Sequence, residues 1–228
     1  MHEDNGLSRK KINVMRASVM GANDGILSVA GIVIGVAGAT NNNAAILLSG
    51  LSGMLAGTVS MAMGEYVSVN SQRDSEKRAI QKEQAALATN RQGEIDYIAN
   101  QYHATGISPA LAAKAATEMM AHEDSLDIAV RERYGFDPKE ETSAVAAALA
   151  SMIAFPTGSI LPLVAITFFP PAIKVIATVL AVIFALTFTG YAAAVLGKAN
   201  PWKAALRNVV AGILTMIVTY GIGSLFAR

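Results

Sequence analysis

The chain has 228 residues, of which 53% are apolar and 15% are charged, and its formal net charge is +1. Soluble domains carry about 25% charged residues, so this composition predicts an integral membrane protein. The near-neutral charge gives no reason to expect nucleic acid as a partner. There is no cysteine, which excludes a disulfide framework and a thiolate metal site.

Five segments are long and apolar enough to cross a bilayer, for which a helix needs about 20 residues. The predicted fold class is all-α: an integral membrane protein with five transmembrane helices and a cytoplasmic helical insert between helices two and three. Pro156, Gly158 and Pro162 are expected to break the third span. The spans are residues 14–40, 44–66, 142–169, 172–196 and 204–226. The predicted domains are a tail (1–13), helices one and two (14–66), the insert (67–141) and helices three to five (142–228).

Basic residues lie mostly on one side of these spans. They cluster before span one, between spans two and three, and between spans four and five. By the positive-inside rule the N-terminus and the insert are predicted to be cytoplasmic and the C-terminus outside, in the cell membrane. Residues 37–39 (Ala-Gly-Ala) resemble a signal-peptide cleavage site, but the apolar run before them is long and contains Asp24, which favours a span.

The acidic residues are unevenly distributed. Of 17, two lie in the N-terminal tail and thirteen between Asp74 and Glu141, which leaves Asp24 and Glu65 inside spans. At 1.5 Å per residue Asp24 lies about 15 Å beyond Val14, near mid-membrane. A carboxylate there costs about 2.5–3.5 kcal/mol on insertion scales, so it is a functional candidate by default.

The insert is predicted to be helical. Residues 68–90 continue span two, and a short helix around Glu94 follows between Gly93 and Gly106. Ser108-Pro109 is a helix-start signal for a helix that runs to about Tyr134. Residues 137–140 (Asp-Pro-Lys-Glu) are interpreted as a capping box that opens the helix of span three.

Two methionines and nearby acids make the insert a candidate metal site. On the predicted helix Met119 shares a face with Glu123, and Glu118 shares one with His122. Carboxylates with thioethers suit a first-row divalent cation. The alternatives are that the methionines belong to a core, and that the 13 acids and nine basic residues form a solvated surface of ion pairs.

Glycines recur at three- and four-residue spacing in spans one and two, and such spacing lets helix backbones approach closely. They fit packing within one subunit or against a second copy, and the sequence leaves both open. No nucleotide-binding loop and no G-x-S-x-G motif occurs, and Glu118-x-x-x-His122 does not match the Glu-x-x-His spacing of di-iron proteins. We therefore expect a transporter driven by a gradient, with no enzymatic activity and no cofactor.

Span one contains the motif Asn23-Asp24-Gly25, and span two contains residues 60–66 (Ser-Met-Ala-Met-Gly-Glu-Tyr). With a Glu-bearing insert and three further spans, the chain resembles the vacuolar iron transporter family, bacterial type. The resemblance covers nearly the whole chain. It implies a homodimer in the lipid bilayer with the ion path at the subunit interface. It also implies exchange of Fe²⁺ or Mn²⁺ for protons, with the metal as substrate leaving the cytoplasm.

By the same resemblance, Asp24 and Met61 match the intramembrane metal path. Glu65 is taken as the second carboxylate of this chain, because Gly53 stands where some members carry an acid. Ala86 and Tyr97 stand where many members have further glutamates, which predicts fewer or weaker metal sites in the insert. The positions that match ligands of the family's cytoplasmic domain are Glu83, Glu94, Met119, Met120 and Glu123.

Two other functions stay open at this point. One is a membrane-anchored metal buffer or sensor, against which Asp24 argues, since an anchor has no use for a mid-membrane acid. The other is a proton-coupled exporter of an organic cation. Such a protein is expected to have aromatic residues along its path, and spans one and two contain only Tyr66.

Overall fold

The computed structural model describes residues 9–140 and 142–227. Residues 1–8 of the predicted tail, and Glu141 at the predicted end of the insert, lie outside these ranges. The described residues form seven α-helices and no strand, which confirms the all-α class. The helices are α1 (Arg9–Ala39), α2 (Asn43–Ala104), α3 (Pro109–Met120), α4 (Ser125–Tyr134), α5 (Ala144–Phe168), α6 (Lys174–Leu196) and α7 (Pro201–Leu225).

Five of these helices, namely α1, α2, α5, α6 and α7, are long and apolar enough to cross a membrane, as predicted. The expected break in the third span is wrong, because α5 continues through Pro156 and Pro162 as one helix. Prolines are tolerated inside membrane helices where packing and local adjustment compensate for the lost backbone hydrogen bonds.

The chain divides into two compact units. We call the unit that contains Ser68–Thr142 the insert, and the unit formed by Lys11–Val67 and Ser143–Arg228 the span unit. Helix α2 takes part in both, since its first part belongs to the span unit and its second part to the insert.

In the span unit α1 supplies more of the buried apolar cluster than any other helix. Its side chains pack with residues of the other four long helices into one apolar cluster. Helices α5 and α6 pack on each other, as do α6 and α7. The fully buried members are Ile26, Val29, Ala30, Val33, Ile34, Ile46, Phe155, Leu163, Ile166, Val182, Leu186 and Met216.

Helices α1 and α5 approach each other backbone to backbone at two glycines. A Cβ on Gly25 would lie 2.1 Å from the carbonyl oxygen of Phe155, and one on Gly158 would lie 2.2 Å from that of Ala22. The Ser159 hydroxyl donates to the carbonyl of Gly25 at 3.2 Å. The glycines of span one thus serve packing within one chain here, which is one of the two alternatives that the sequence left open.

In the insert, the second part of α2 contains a kink at Asn90, where φ is −149° and ψ is 71°. The Asn90 side chain accepts a hydrogen bond from the backbone N–H of Gly93 at 3.0 Å, as an N-cap does. The polar run therefore stays helical up to Asn90, as predicted, and a second helical segment follows. This segment packs on α3 and α4 through Ile98, Ala116, Met120 and Ala129.

The single helix predicted from Pro109 to Tyr134 is wrong, although its two ends are right. A turn at residues 121–124 separates α3 from α4, and α4 ends at Gly135, whose φ is 74°. The turn allows Ala129 to pack in one cluster with Ala116 and Met120, whereas a straight helix would carry it away. Because α3 ends at Met120, the predicted helix faces that included His122 and Glu123 do not form.

The predicted capping box at residues 137–140 is also wrong. The carboxylate of Asp137 accepts from the backbone N–H of Lys139 at 2.9 Å and pairs with Arg131 at 2.7 Å. Helix α5 begins at Ala144 instead, with the Ser143 hydroxyl accepting from the N–H of Ala146 at 3.2 Å. Both Asp137 and Ser143 suit helix starts, and only their tertiary contacts distinguish them.

We predict that Gly25→Ala lowers the melting temperature of the purified protein. The added methyl group would collide with the backbone of Phe155, and overpacking of this kind costs about 1–3 kcal/mol. Gly221→Ala in α7 is the matched control, because its Cβ would meet nothing within 4 Å. Thermal unfolding in detergent measures both, and equal melting temperatures for the two variants would contradict the proposed packing of α1 on α5.

Candidate metal-transport site

An ion pair joins α1 to α2 near one end of the span unit. The Arg16 guanidinium lies 3.3 Å from the Glu65 carboxylate, whose side chain is 8% exposed. The two residues lie nearly equally far, on opposite helices, from the tight connection at residues 40–42. The pair thus fixes the register of the two antiparallel helices. It also means that Glu65, one of the two acids inside the spans, has a basic partner.

Asp24 lies in the middle of the apolar part of α1. It is 13 residues from Lys11 and 15 from Ala39, or about 20 Å from each end at 1.5 Å per residue. Its carboxylate is exposed in the single chain and accepts a hydrogen bond from the Ser28 hydroxyl at 3.0 Å. Within the described residues it has no ion-pair partner, in contrast to Glu65.

Met61 lies one helical turn before Glu65 on α2. It is half-buried and packs against the apolar cluster of the span unit. Measured from the connection at residues 40–42, Met61 and Asp24 differ in depth by about one turn, or roughly 5 Å. The span unit therefore brings Glu65 together with Arg16, and places Met61 and Asp24 at successive depths beyond that pair.

Polar contacts hold α1 in place on either side of Asp24. The Thr189 hydroxyl of α6 donates to the Asn23 side-chain oxygen at 2.6 Å. On the following residue, Gly25, α1 meets the backbone of α5. These contacts restrict rotation of α1 about its axis, so that the direction of the Asp24 side chain is fixed by its two neighbours in sequence.

Sequence reasoning missed two charged residues and one methionine of the span unit. Arg16 belongs to the basic residues before span one. Counting residues from the connection gives it the depth of Glu65, but this count does not show that the two side chains meet. Lys174, at the start of α6, is buried and donates to the side-chain oxygen of Asn43 at 2.9 Å. Met20 is exposed one turn before Asp24 on the same face of α1, so its thioether lies on the side of the carboxylate.

In the insert, the predicted ligands Glu83 and Glu94 share one partner, Arg133 of α4. Its Nε lies 3.2 Å from a Glu83 oxygen, and its Nη2 donates to the Glu94 carboxylate. The guanidinium also lies 3.8 Å from the centre of the Tyr97 ring, in a cation–π contact. Burial and then the neighbouring Glu94 raise the pKa of Glu83 above its ordinary value of 4.5.

The other predicted ligands of the insert lie apart from this pair. Met120 is buried in the apolar cluster of the insert, which supports the alternative that it belongs to a core. Met119 lines a cavity together with His122, and Glu123 is exposed in the turn after α3. In residues 9–140 and 142–227 no three His, Asp or Glu side chains converge on a metal position. Metal binding by these residues stays a prediction.

The cavity beside Met119 contains a second bridged pair of acids. The ammonium group of Lys139 lies 3.0 Å from both Asp124 and Asp127. Hydrogen bonds from Lys139 to Asp127 and then Asp124 raise its pKa above 10.5. The acids of the insert are therefore countered at least in part by ion pairs within it, as one of the sequence-based alternatives held.

The model of the VIT family matches residues 15–224, which is most of the chain and includes both Asp24 and the Glu83–Glu94 pair. The chain belongs to the VIT family. The resemblance seen in the two span motifs is thus confirmed.

Curated relatives agree with this assignment. A vacuolar iron transporter of Acanthamoeba castellanii is 34% identical over 92% of this chain and 78% of its own length. Vacuolar iron transporter homolog 2 of Oryza sativa subsp. japonica is 36% identical over 93% and 90% of the two chains. Vacuolar iron transporter homolog 3 of Arabidopsis thaliana is 34% identical over 93% and 82%. The similarity to VIT family members therefore covers the span unit as well as the insert.

We predict that Thr189→Val destabilises this VIT family member by about 1 kcal/mol, the net value of a typical hydrogen bond. The variant removes the donor to Asn23 and keeps the shape of the side chain. The control is Thr187→Val in the same helix, since the Thr187 hydroxyl donates only to the carbonyl of Ile183 within α6. Thermal unfolding of both variants tests this, and an equal effect would mean that the contact does not hold α1.

Proposed function

We propose that this protein is an antiporter that moves Fe²⁺ or Mn²⁺ out of the cytoplasm in exchange for protons. The observation that carries the proposal is Asp24, a carboxylate in the middle of an apolar helix with no ion-pair partner in the described residues. Such a group is costly in a bilayer and is expected to have a cation to bind. The names of the relatives, vacuolar iron transporters, support iron as a substrate.

In the proposed path the ion meets Glu65, Met61 and Asp24 in that order of depth. Carboxylate oxygens accept any hard divalent cation, whereas a thioether favours first-row transition metals over Mg²⁺ and Ca²⁺. Met61 is thus proposed to supply selectivity and Asp24 to supply charge. Met20, one turn from Asp24 on the same face, supplies a second thioether at about the depth of Met61.

In the proposed path Glu65 is already paired with Arg16 before a metal ion binds. A divalent cation at Glu65 has to displace the Arg16 guanidinium, whose side chain is 47% exposed and long enough to move aside. While the pair is closed, the charge of Glu65 is balanced, and Asp24 is the acid available to exchange metal for a proton. We therefore assign the entrance to Glu65 with Arg16, and the central exchange step to Asp24.

Proton exchange has an energetic reason. Moving a divalent cation out against an inside-negative potential costs about 4.6 kcal/mol per 100 mV, twice the value for one charge. Return of two protons cancels that charge movement. Metal and proton compete for the same carboxylate oxygens, because a nearby divalent cation favours the ionised form.

We further propose that the protein is a homodimer whose interface includes α2. The outer face of α2 carries small residues one turn apart, Ser52, Ala56, Ser60 and Gly64, all exposed in the single chain. Small residues at this spacing let two membrane helices approach closely. Helix α2 also exposes large apolar side chains such as Leu55 and Val59, whereas α6 exposes the still larger Phe184 and Phe188, as expected towards lipid.

The location and orientation are proposals of the same kind. By the positive-inside rule, the distribution of basic residues supports a cytoplasmic N-terminus and insert and an outside C-terminus. In a cell membrane this orientation exports metal from the cell. The relatives are named for the vacuole, and moving metal from the cytoplasm into a vacuole is the same direction relative to the cytoplasm.

We predict that Asp24→Asn abolishes both metal flux and the accompanying proton movement in proteoliposomes. The amide cannot be charged, so it neither balances a divalent cation nor carries a proton. Vesicles at clamped voltage, with one dye for the metal and one for pH, measure both fluxes with Fe²⁺, Mn²⁺ and an organic cation. Ser28→Ala is the control, because it removes the hydrogen bond to Asp24 but keeps the carboxylate.

The same experiment separates the alternatives. Metal flux without proton movement would make the protein a uniporter, and uptake of the organic cation alone would identify an organic cation exporter. Metal binding without flux would indicate a buffer or sensor. Undiminished metal flux in Asp24→Asn would remove Asp24 from the mechanism.

We predict that Ala56→Cys forms a disulfide-linked dimer in membranes under mild oxidation. The protein has no cysteine, so any cross-link must come from the introduced residue. Leu180→Cys on the exposed face of α6 is the control and should stay monomeric on a denaturing gel. Cross-linking of Leu180→Cys with none of Ala56→Cys would place the interface on another face.

A further inference from the structure

The two acids Glu83 and Glu94 are held by a charge that belongs to the protein itself. Glu83 precedes the kink at Asn90 and Glu94 follows it, while Arg133 reaches both from α4. All three side chains are largely buried, with exposed fractions of 2%, 13% and 28% for Glu83, Glu94 and Arg133. The guanidinium therefore connects the two parts of α2 across the kink and ties both to α4.

The position of the guanidinium is set from several directions. It contacts a carboxylate from each part of α2 and faces the ring of Tyr97, which lies 3.8 Å from its central carbon. Tyr97 is one of the two positions where the family resemblance led us to expect a glutamate. An aromatic ring there supports a flat cation, whereas a third carboxylate would have added a ligand for a metal.

A guanidinium is a permanent cation, because it does not lose its proton in proteins. The charges of Glu83 and Glu94 only strengthen this, and raise the pKa of Arg133 against the lowering effect of burial. A divalent metal between the same two carboxylates would lie beside a buried positive charge. Two like charges so close in a site of low dielectric repel each other strongly. The site is therefore already filled by a cation that cannot diffuse away.

The second acidic pair of the insert is also bridged by a basic side chain. Lys139 lies 3.0 Å from both Asp124 and Asp127, in the cavity that Met119 lines. Each of the two pairs is thus bridged by a basic side chain of the insert, even though the insert carries 13 acids and nine basic residues. The side chains of this second pair are more exposed than Glu83 and Glu94, so its ion pairs are weaker support for the proposal.

We propose that Arg133 is the resident cation of the Glu83–Glu94 pair, so that the insert keeps its fold with no divalent metal bound to these two carboxylates. In this chain the pair is then a structural ion-pair network and takes no part in collecting the transported metal. The proposal is independent of the proposed antiport, because it concerns the insert and holds whatever the span unit moves.

Full-length protein in detergent tests this with Mn²⁺ as the probe. All variants carry Asp24→Asn, which removes the carboxylate proposed for the central exchange step of transport. We expect the same melting temperature in Mn²⁺ and in EDTA when Arg133 is intact, and the same amount of bound Mn²⁺ by equilibrium dialysis with or without Glu94→Gln. Arg133→Gln should lower the melting temperature in EDTA by about 5 °C or more, because it leaves buried acids unpaired.

Arg133→Gln should also make the protein respond to metal. With the guanidinium gone, Mn²⁺ should restore much of the lost melting temperature, and adding Glu94→Gln should abolish that rescue. Arg133→Lys keeps a cation and should not respond to Mn²⁺. Lys114→Gln, which removes an exposed pair with Glu118 in α3, is the control and should change the melting temperature by no more than about 1 °C.

Two results would overturn the proposal. The first is stabilisation by Mn²⁺ with Arg133 intact that disappears with Glu94→Gln, since the metal would then occupy the pair despite the guanidinium. The second is an unchanged melting temperature of Arg133→Gln in EDTA, since the pair would then need no cation. If Arg133→Gln does not yield folded protein, the dialysis comparison with and without Glu94→Gln still decides the question.

Discussion

The cost of holding a charge in an apolar helical bundle is the constraint on which the span unit depends. Three charged groups of the span unit show how this cost is reduced or left in place. Glu65 is paired with Arg16, and Lys174 donates to Asn43 at the opposite end of the unit. Among the described residues, the Ser28 hydroxyl is the polar contact of Asp24. Of these three, Asp24 is the acid that has no basic partner among the described residues, and the proposed transport assigns a mobile cation to it.

The backbone contacts around Asp24 explain how such a group is kept in one direction. Glycine at position 25 lets α1 meet the backbone of α5, and the Asn23 side chain is fixed by Thr189 of α6. Neither neighbour of Asp24 can move without breaking a contact with another helix. The motif Asn-Asp-Gly therefore combines one candidate functional side chain with two residues that fix the helix carrying it.

In the insert the charges to be balanced are those of many acids. It carries an excess of acids, and its buried acids are stabilised by basic side chains that come from other helices of the same unit. Arg133 joins α4 to both parts of α2, and Lys139 joins the segment after α4 to the start of that helix. Long-range ion pairs of this kind hold three short helical segments together around a small apolar cluster, which alone is modest.

The sequence by itself determined the membrane class, the five spans, the family, and the identity of Asp24 as the unusual acid. These follow from composition, segment length and local motifs, which need no knowledge of contacts. It did not determine that α3 ends at Met120, that Ser143 and not Asp137 caps α5, or that Arg16 and Arg133 are the partners of Glu65, Glu83 and Glu94. Only the tertiary structure decided these points. The ion pairs join residues that are 49 or 39 positions apart in the sequence. The turn after α3 is set by the packing of Ala129 on Met120. A local sequence pattern does not encode these distances.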